Sequence, residues 1–82
     1  MILEAIILAG MAGPEPCDER QVWESYLRGQ FNEEYAFTIM GPNKTEIEVW
    51  IDQKEGDWTM LGIAGHQLCE IMYGTDWPAR RR

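Results

Sequence analysis

The sequence predicts an α+β domain in which one N-terminal helix packs on a four-stranded antiparallel meander sheet. Three observations predict this fold class. Apolar residues recur at helical spacing between residues 22 and 31, and four short strand-like runs follow from residue 33, the first two with alternating apolar and polar residues. In addition, glycine, proline and asparagine separate these runs, as they do in turns between sequential strands.

The helix is predicted to follow Asp18, in the segment DERQVWESYLRGQF. Aspartate is a favourable N-cap, and Gln21 completes a capping-box pattern. Gly29 weakens the helix by about 1 kcal/mol, and Asn32 is a suitable residue for its end. The stripe that faces the core consists of Val22, Trp23, Tyr26, Leu27, Gln30 and Phe31.

The four strands are predicted in the segments EEYAFTI, TEIEVWID, DWTMLGIA and QLCEIMYG. Pro42 and Asn43 supply turn residues after the first strand. Gly56 suits a bulged turn between the second and third strands. Gly65, followed by the single histidine, joins the third strand to the fourth.

These turns predict a register in which one face of the sheet is buried. Val49 lies opposite Met60, and Gly62 lies opposite both Ile47 and Cys69. We expect the helix to cover this face. Its residues are Tyr35, Phe37, Ile39, Ile47, Val49, Ile51, Trp58, Met60, Gly62, Cys69, Ile71 and Tyr73.

The opposite face is predicted to be the outer face and to form an interface. A solvated sheet face normally carries polar residues, whereas an apolar patch with a charged rim is typical of a binding surface. Alternatively, residues 2–9 fold back and cover this patch. The predicted interface residues, rimmed by three glutamates, are Trp50, Leu61, Ile63, Leu68 and Met72.

The length and the charge of the chain limit its function. Its 82 residues are enough for one domain, predicted over residues 17–77 and followed by a basic tail at 78–82. Fourteen acidic residues oppose seven basic ones, for a net charge of −7. This acidity argues against nucleic-acid binding. We expect no membrane span, because no apolar run reaches the required length of about 20 residues.

Residues 1–16, MILEAIILAGMAGPEP, allow two interpretations. An apolar run that ends in small residues before a Pro-Glu-Pro break is typical of a secretory signal. However, no lysine or arginine precedes the run, and Glu4 interrupts it. The alternative is a retained apolar arm that packs on the domain or on a neighbouring subunit.

The sequence offers no recognisable catalytic centre. His66 and Ser25 are the only residues of their types, and neither lies in a nucleophile motif. The spacing of Cys17, His66 and Cys69 is not that of a metal site. We therefore expect a protein that is not an enzyme, with no cofactor and no metal, and we infer no small-molecule ligand.

The predicted register also suggests a role for the two cysteines. Gly62 leaves space opposite Cys69, where the start of the helix could bring Cys17 into bonding range. A disulfide is predicted if the protein resides in an oxidising compartment. The alternative is a pair of buried thiols.

A set of short motifs spans residues 17–77: Cys17 at the start of a helix, Phe31 and Glu33 at its end, then EIEVWID, GDWTML, CEIMYG and Trp77. This set resembles small exported proteins of proteobacteria that carry a signal peptide and two cysteines. The resemblance implies export, a Cys17–Cys69 disulfide and no catalytic centre. The chain departs from that pattern in its signal region, its longer helix and its acidity.

Two functional hypotheses follow. The first is a small, periplasmic or secreted, disulfide-stabilised domain that binds a protein partner or itself through the outer sheet face. The alternative is a structural component of a phage-like or other extracellular particle, such as a cement, decoration or tail accessory protein. In the alternative, the N-terminal segment clamps a neighbour.

Overall fold

The computed structural model describes residues 13–77. The fold is α+β, as predicted, with one helix and one antiparallel sheet of order β1-β5-β4-β3-β2. A short 3-10 turn, Pro42–Lys44, joins β2 to β3. The elements are β1 (Cys17–Glu19), α1 (Arg20–Phe31), β2 (Glu34–Met40), β3 (Glu46–Ile51), β4 (Trp58–Ala64) and β5 (Gln67–Gly74).

The sheet has five strands, where the sequence predicted four. The additional strand is β1, which places Cys17 opposite Cys69 and Asp18 opposite Leu68. The backbone N–H of Glu70 also donates to the Pro16 carbonyl at 2.7 Å. A strand of three residues is too short to show alternation, so only its pairing with β5 reveals it.

Helix α1 begins one residue later than predicted and ends as predicted. Its N-cap is Glu19, which makes no side-chain capping bond. The Asp18 carboxylate instead accepts hydrogen bonds from the backbone N–H groups of Glu15 and Glu19. Asn32 adopts the left-handed conformation at φ 56°, and its N–H donates to the Leu27 carbonyl. Asparagine tolerates this conformation better than most residues, so it ends the helix here.

The main core lies between α1 and one face of the sheet. Trp23 and Leu27 of the helix pack on Trp50, Leu61 and Leu68, and all five side chains are at most 3% exposed. At the margin, the partly buried Tyr26 and Ile63 pack against this cluster. Burying such a cluster is the main stabilising contribution available to a domain of this size.

The prediction of which face receives the helix was wrong. Trp50, Leu61 and Leu68, predicted as interface residues, lie beneath α1, and Ile63 lies at the margin of the same cluster. Met72, the fifth predicted interface residue, pairs with Met60 and lies on the opposite face. Four of the five therefore lie on the helix side of the sheet, and Met72 alone lies on the face away from the helix, as predicted.

The connection made by α1 explains the error. Each pair of neighbouring strands is antiparallel, so β1 and β2, four positions apart in the sheet, run parallel. Helix α1 is thus a crossover between parallel strands, and such crossovers are right-handed in about 98% of proteins. The hand of the crossover determines which face is covered. Alternation cannot decide the question here, because both faces are apolar.

The register itself was predicted correctly over β3 and β4 and in the first part of β5. Val49 pairs with Met60, and Gly62 pairs with Ile47 and Cys69. A bulge at Ile71 then shifts β5 by one residue, so that Met60 faces Met72 instead of Ile71, and Trp58 faces Gly74 instead of Tyr73. Bulges of this kind leave no clear mark in a period-2 pattern.

A second bulge, at Ala36 in β2, moves Tyr35 to the helix side of the sheet. Tyr35 pairs with Trp50, whereas Phe37 pairs with Val49 on the other face, as predicted. The rings of Tyr35 and Trp50 meet edge to face at 6.1 Å, an arrangement that adds to the burial energy of the pair.

Glu48, predicted to be part of an exposed rim, is buried beside Trp50. Arg20 donates to both of its carboxylate oxygens, at 3.2 and 2.5 Å, and the indole Nε1 of Trp50 donates to one of them at 3.1 Å. The hydrogen bond to Glu48 is also the main reason that the pKa of Arg20 is raised. Three donors therefore satisfy a carboxylate that would otherwise be costly to bury.

The predicted disulfide is present. Cys17 and Cys69 are bonded across the β1–β5 pair, 52 positions apart in the sequence. The space at Gly62 is used differently from the prediction, because the Ile71 side chain fills it: its Cδ1 lies 3.2 Å from where a Cβ would stand. In the part of the chain that is described, no helix is long and apolar enough to cross a membrane.

Candidate interaction surface

The sheet face opposite α1, called the open face here, carries apolar side chains across β2 to β5. No second helix or sheet covers this face within residues 13–77. It is defined by nine residues that share a side in the observed register: Phe37, Ile39, Ile47, Val49, Ile51, Trp58, Met60, Ile71 and Met72.

The centre of the open face is nevertheless buried. Ile47, Val49 and Ile51 of β3 are at most 8% exposed. Trp77 contributes to this cover at one end, because its ring lies 6.1 Å from Phe37 and 6.0 Å from Trp58. The N–H of Trp77 donates to the Gly56 carbonyl at 2.9 Å, which fixes this segment over the sheet. The open face therefore has its own small packed cluster.

Four apolar side chains on either side of this centre remain in contact with solvent. Phe37 and Ile39 on β2 are 39% and 41% exposed, and Ile71 and Met72 on β5 are each 49% exposed. Single exposed apolar residues are common, but two exposed pairs that flank a buried apolar centre on one face favour an interaction surface. The open face is thus the candidate interaction surface, on the side opposite to the one predicted.

Strand β2 adds a free backbone edge to this surface. It is the last strand in the sheet order, so no strand of residues 13–77 pairs with its outer side. Its sequence, EYAFTIM, contains one charged residue and no proline. Proteins usually protect a long edge strand with lysine, proline or a covering segment. Among residues 13–77, the one interruption of this strand is the bulge at Ala36.

The residues considered for chemistry are either bonded in the disulfide or exposed on separate elements. Cys69 is in the disulfide and has no free thiol. His66 lies exposed in the β4–β5 turn, and Ser25 lies exposed on α1. Among the residues described, no three histidine, cysteine or acidic side chains are arranged to hold a metal ion.

Glu33, which the sequence suggested only as part of a motif at the helix end, has a strongly shifted pKa. It follows the helix end and is only 2% exposed. Burial raises the pKa of its carboxyl from the usual 4.5 to about 7. A hydrogen bond with Thr59 acts in the opposite direction, and the nearby Asp57 and Asp52 raise the pKa further. A glutamate directly after a helix stop gives no indication in the sequence that it is buried.

Glu33→Gln is expected to stabilise the protein increasingly as the pH rises. Because the pKa is higher in the folded state, the unfolded chain loses its proton first, and native stability falls between pH 4.5 and 7. Glutamine remains neutral and avoids this loss. We expect equal stabilities near pH 4.5 and a gain on the order of 2 kcal/mol at pH 8.5, measured by urea unfolding.

Glu34→Gln is the matched control for this comparison. The Glu34 side chain is 68% exposed and accepts a hydrogen bond from Arg28 at 3.0 Å. Exposed ion pairs contribute little to stability. Glu34→Gln should therefore change the free energy of unfolding by less than about 1 kcal/mol at both pH values. If the difference in free energy of unfolding between Glu33→Gln and the wild type does not change with pH, that result would contradict the raised pKa of Glu33.

Comparisons with known proteins give no further identification. No family model, curated protein or solved structure matches this chain. The resemblance to exported proteins of proteobacteria stays a prediction. The open face and the disulfide are therefore the features that indicate a function.

Proposed function

We propose that this protein is a small disulfide-stabilised interaction domain that pairs with a second copy of itself through the open face. The observation that carries this proposal is the open face itself. Four of its apolar residues, Phe37, Ile39, Ile71 and Met72, are 39–49% exposed. Burying them against a partner removes apolar surface from water, which is the main driving force of association.

The chemistry of the face favours a permanent partner, and a second copy is the simplest one. Permanent interfaces are more apolar than transient ones, and their centres are depleted of charged residues. Most soluble oligomers are two-fold dimers in which the same patch meets itself.

The charge of the chain opposes this pairing and gives it a specific salt dependence. Each copy carries a net charge of −7. Repulsion between two such copies is screened at high ionic strength. Dimerisation is therefore expected to tighten as salt increases, whereas an association driven by opposite charges would weaken.

Ile39→Glu is expected to convert the dimer to a monomer without unfolding the domain. Ile39 is 41% exposed on the open face, so glutamate can remain hydrated in the monomer but not in the interface. Light scattering after size exclusion should show at least a tenfold weaker association, corresponding to about 1.4 kcal/mol or more. Circular dichroism should show an unchanged fold.

Val22→Glu provides the matched control, because Val22 is also 41% exposed but lies on α1, away from the open face. It should remain dimeric. Equal dissociation of the two variants would contradict the proposed surface. A monomeric wild type would contradict pairing with a second copy. The open face would then be covered by residues 1–12 or by a different protein.

The proposed setting is the periplasm or the cell exterior, where a disulfide persists. The domain is proposed to act by binding, without catalysis. The particle component stays an alternative prediction, because a permanent neighbour in a particle could use the same apolar face. Fractionation of the native source between the periplasm and assembled particles separates these two settings.

A further inference from the structure

Trp77 makes the open face uneven along the direction of its strands. The centroid of its ring lies 6.1 Å from that of Phe37 on β2 and 6.0 Å from that of Trp58 on β4. Strand β3 runs between β2 and β4, and its residue Ile51 pairs with Trp58. The Trp77 ring therefore lies above the Ile51 end of β3 and forms a ridge there.

The opposite end of the open face is lower at the same strand. Ile47 of β3 has Ile39 on one side and Gly62, which carries no side chain, on the other. Ile47 is 8% exposed, the highest value among the three apolar β3 residues on this face. Ile39 and Ile71, which are 41% and 49% exposed, stand on either side of it. Ile39, Ile47 and Ile71 are called the isoleucine hollow here.

Trp77 has the properties of an interface anchor. It is half-buried, so part of the ring is available to a partner. Two hydrogen bonds hold its segment: the Trp77 N–H donates to the Gly56 carbonyl at 2.9 Å, and the Trp58 indole Nε1 donates to the Thr75 carbonyl at 3.2 Å. Tryptophan is enriched among the residues that dominate binding energy, and a side chain already held in place loses little entropy on binding.

The size of the open face requires that two copies overlap fully. A stable interface buries about 800 Å² on each partner. Strands β2 and β5 are three strand spacings apart, about 14 Å. A partial overlap would leave much of this small face uncovered. The second copy must therefore cover the face along its whole length, from Trp77 to the isoleucine hollow.

We propose that the second copy lies with its strands reversed, so that Trp77 of each copy packs into the isoleucine hollow of the other. This inference rests on the proposed dimer. A two-fold axis in the interface can run across the strands or along them. An axis across the strands, above Val49, exchanges the Ile51 and Ile47 ends and brings each Trp77 above the partner's Ile47. An axis along the strands sets the two ridges against each other and leaves both hollows without contacts.

The two lysines of the chain distinguish these orientations. Lys44 lies in the turn before β3, at the end of the isoleucine hollow, and Lys54 lies in the turn after β3, at the Trp77 end. Both are exposed. With the axis across the strands, Lys44 of one copy faces Lys54 of the other across the sheet separation of about 10 Å. With the axis along the strands, each lysine faces its own counterpart.

Cross-linking of the full-length wild type tests the orientation. Chains labelled with ¹⁴N and with ¹⁵N are refolded together from urea, treated with the short amine cross-linker disuccinimidyl glutarate and digested for mass spectrometry. Peptide pairs of mixed isotope arise only between copies, and we expect them to join Lys44 to Lys54. A dimer that lacks these mixed pairs, or that instead joins Lys54 to Lys54, would overturn the orientation. A monomer in the same sample would overturn the proposed dimer itself, with residues 1–12 or a different protein as the occupant of the face.

Trp77→Ala tests the anchor and should weaken self-association at least tenfold in sedimentation equilibrium. Tyr73→Ala is the matched control. It removes a ring that is 71% exposed at the same end of the sheet, but on the helix side, where Tyr73 pairs with Thr59. It should associate as the wild type does. Unchanged association of a folded Trp77→Ala variant would overturn the anchor, and the wild-type cross-links decide the orientation should that variant fail to fold.

Discussion

Trp50→Glu is expected to unfold the domain. Trp50 is 1% exposed and lies in the cluster that joins α1 to the sheet. Removing a buried tryptophan from a core costs about 3–5 kcal/mol. The new carboxylate would be buried close to Glu48, and the like charges would repel. Together, the lost burial and the charge repulsion approach the total free energy of unfolding of a domain of this size. That free energy is about 4–12 kcal/mol, at 0.05–0.15 kcal/mol per residue.

The measurement is far-ultraviolet circular dichroism with urea unfolding of the purified variant. Trp50→Phe is the matched control, since it keeps an apolar ring and loses the indole donor to Glu48. It should remain folded and lose about 1–3 kcal/mol. A Trp50→Glu variant that keeps its fold but no longer dimerises would instead place Trp50 on the outer face, as the sequence alone predicted.

Replacing both Cys17 and Cys69 with serine is expected to lower the free energy of unfolding by about 4 kcal/mol on the chain-entropy treatment of disulfides. The bond joins residues 52 positions apart, so the unfolded chain is strongly restricted. In the folded state it links the three-residue strand β1 to β5, and β1 positions the start of α1. Without the bond, we expect this end of the sheet to separate first.

Urea unfolding of the wild type with and without reductant gives the same comparison without mutation. The serine variant and the reduced wild type should agree within about 1 kcal/mol. The variant should also show a larger m-value, because its unfolded state is less compact. A loss below about 1 kcal/mol would contradict a stabilising role for the bond.

The helix, its end and the turns between strands were predicted well from the sequence. The apolar stripe around Trp23 and Leu27 lies on a helix, and Asn32 ends it. The turn residues around Gly56 and Gly65 fixed the β3–β4 pairing and the start of the β4–β5 pairing. These features depend on neighbouring residues, which is why a single sequence can reveal them.

The features that the sequence did not reveal depend on distant parts of the chain. Strand β1 exists because β5 is available to pair with it, and the bulges at Ala36 and Ile71 serve the packing of whole strands. The α1 crossover determines which face of the sheet is covered. The burial of Glu33 depends on its packing beside β4, where Thr59 forms a hydrogen bond with it. Residues such as Phe37 and Ile39 were thus assigned to the core instead of the surface.

Sedimentation equilibrium of the wild-type chain, over a range of concentrations and at low and high salt, tests whether two copies pair through the open face. We expect a species of twice the 9.5 kDa chain mass, with tighter association at high salt. A mass of 9.5 kDa at every concentration and salt would contradict pairing of two copies through the open face.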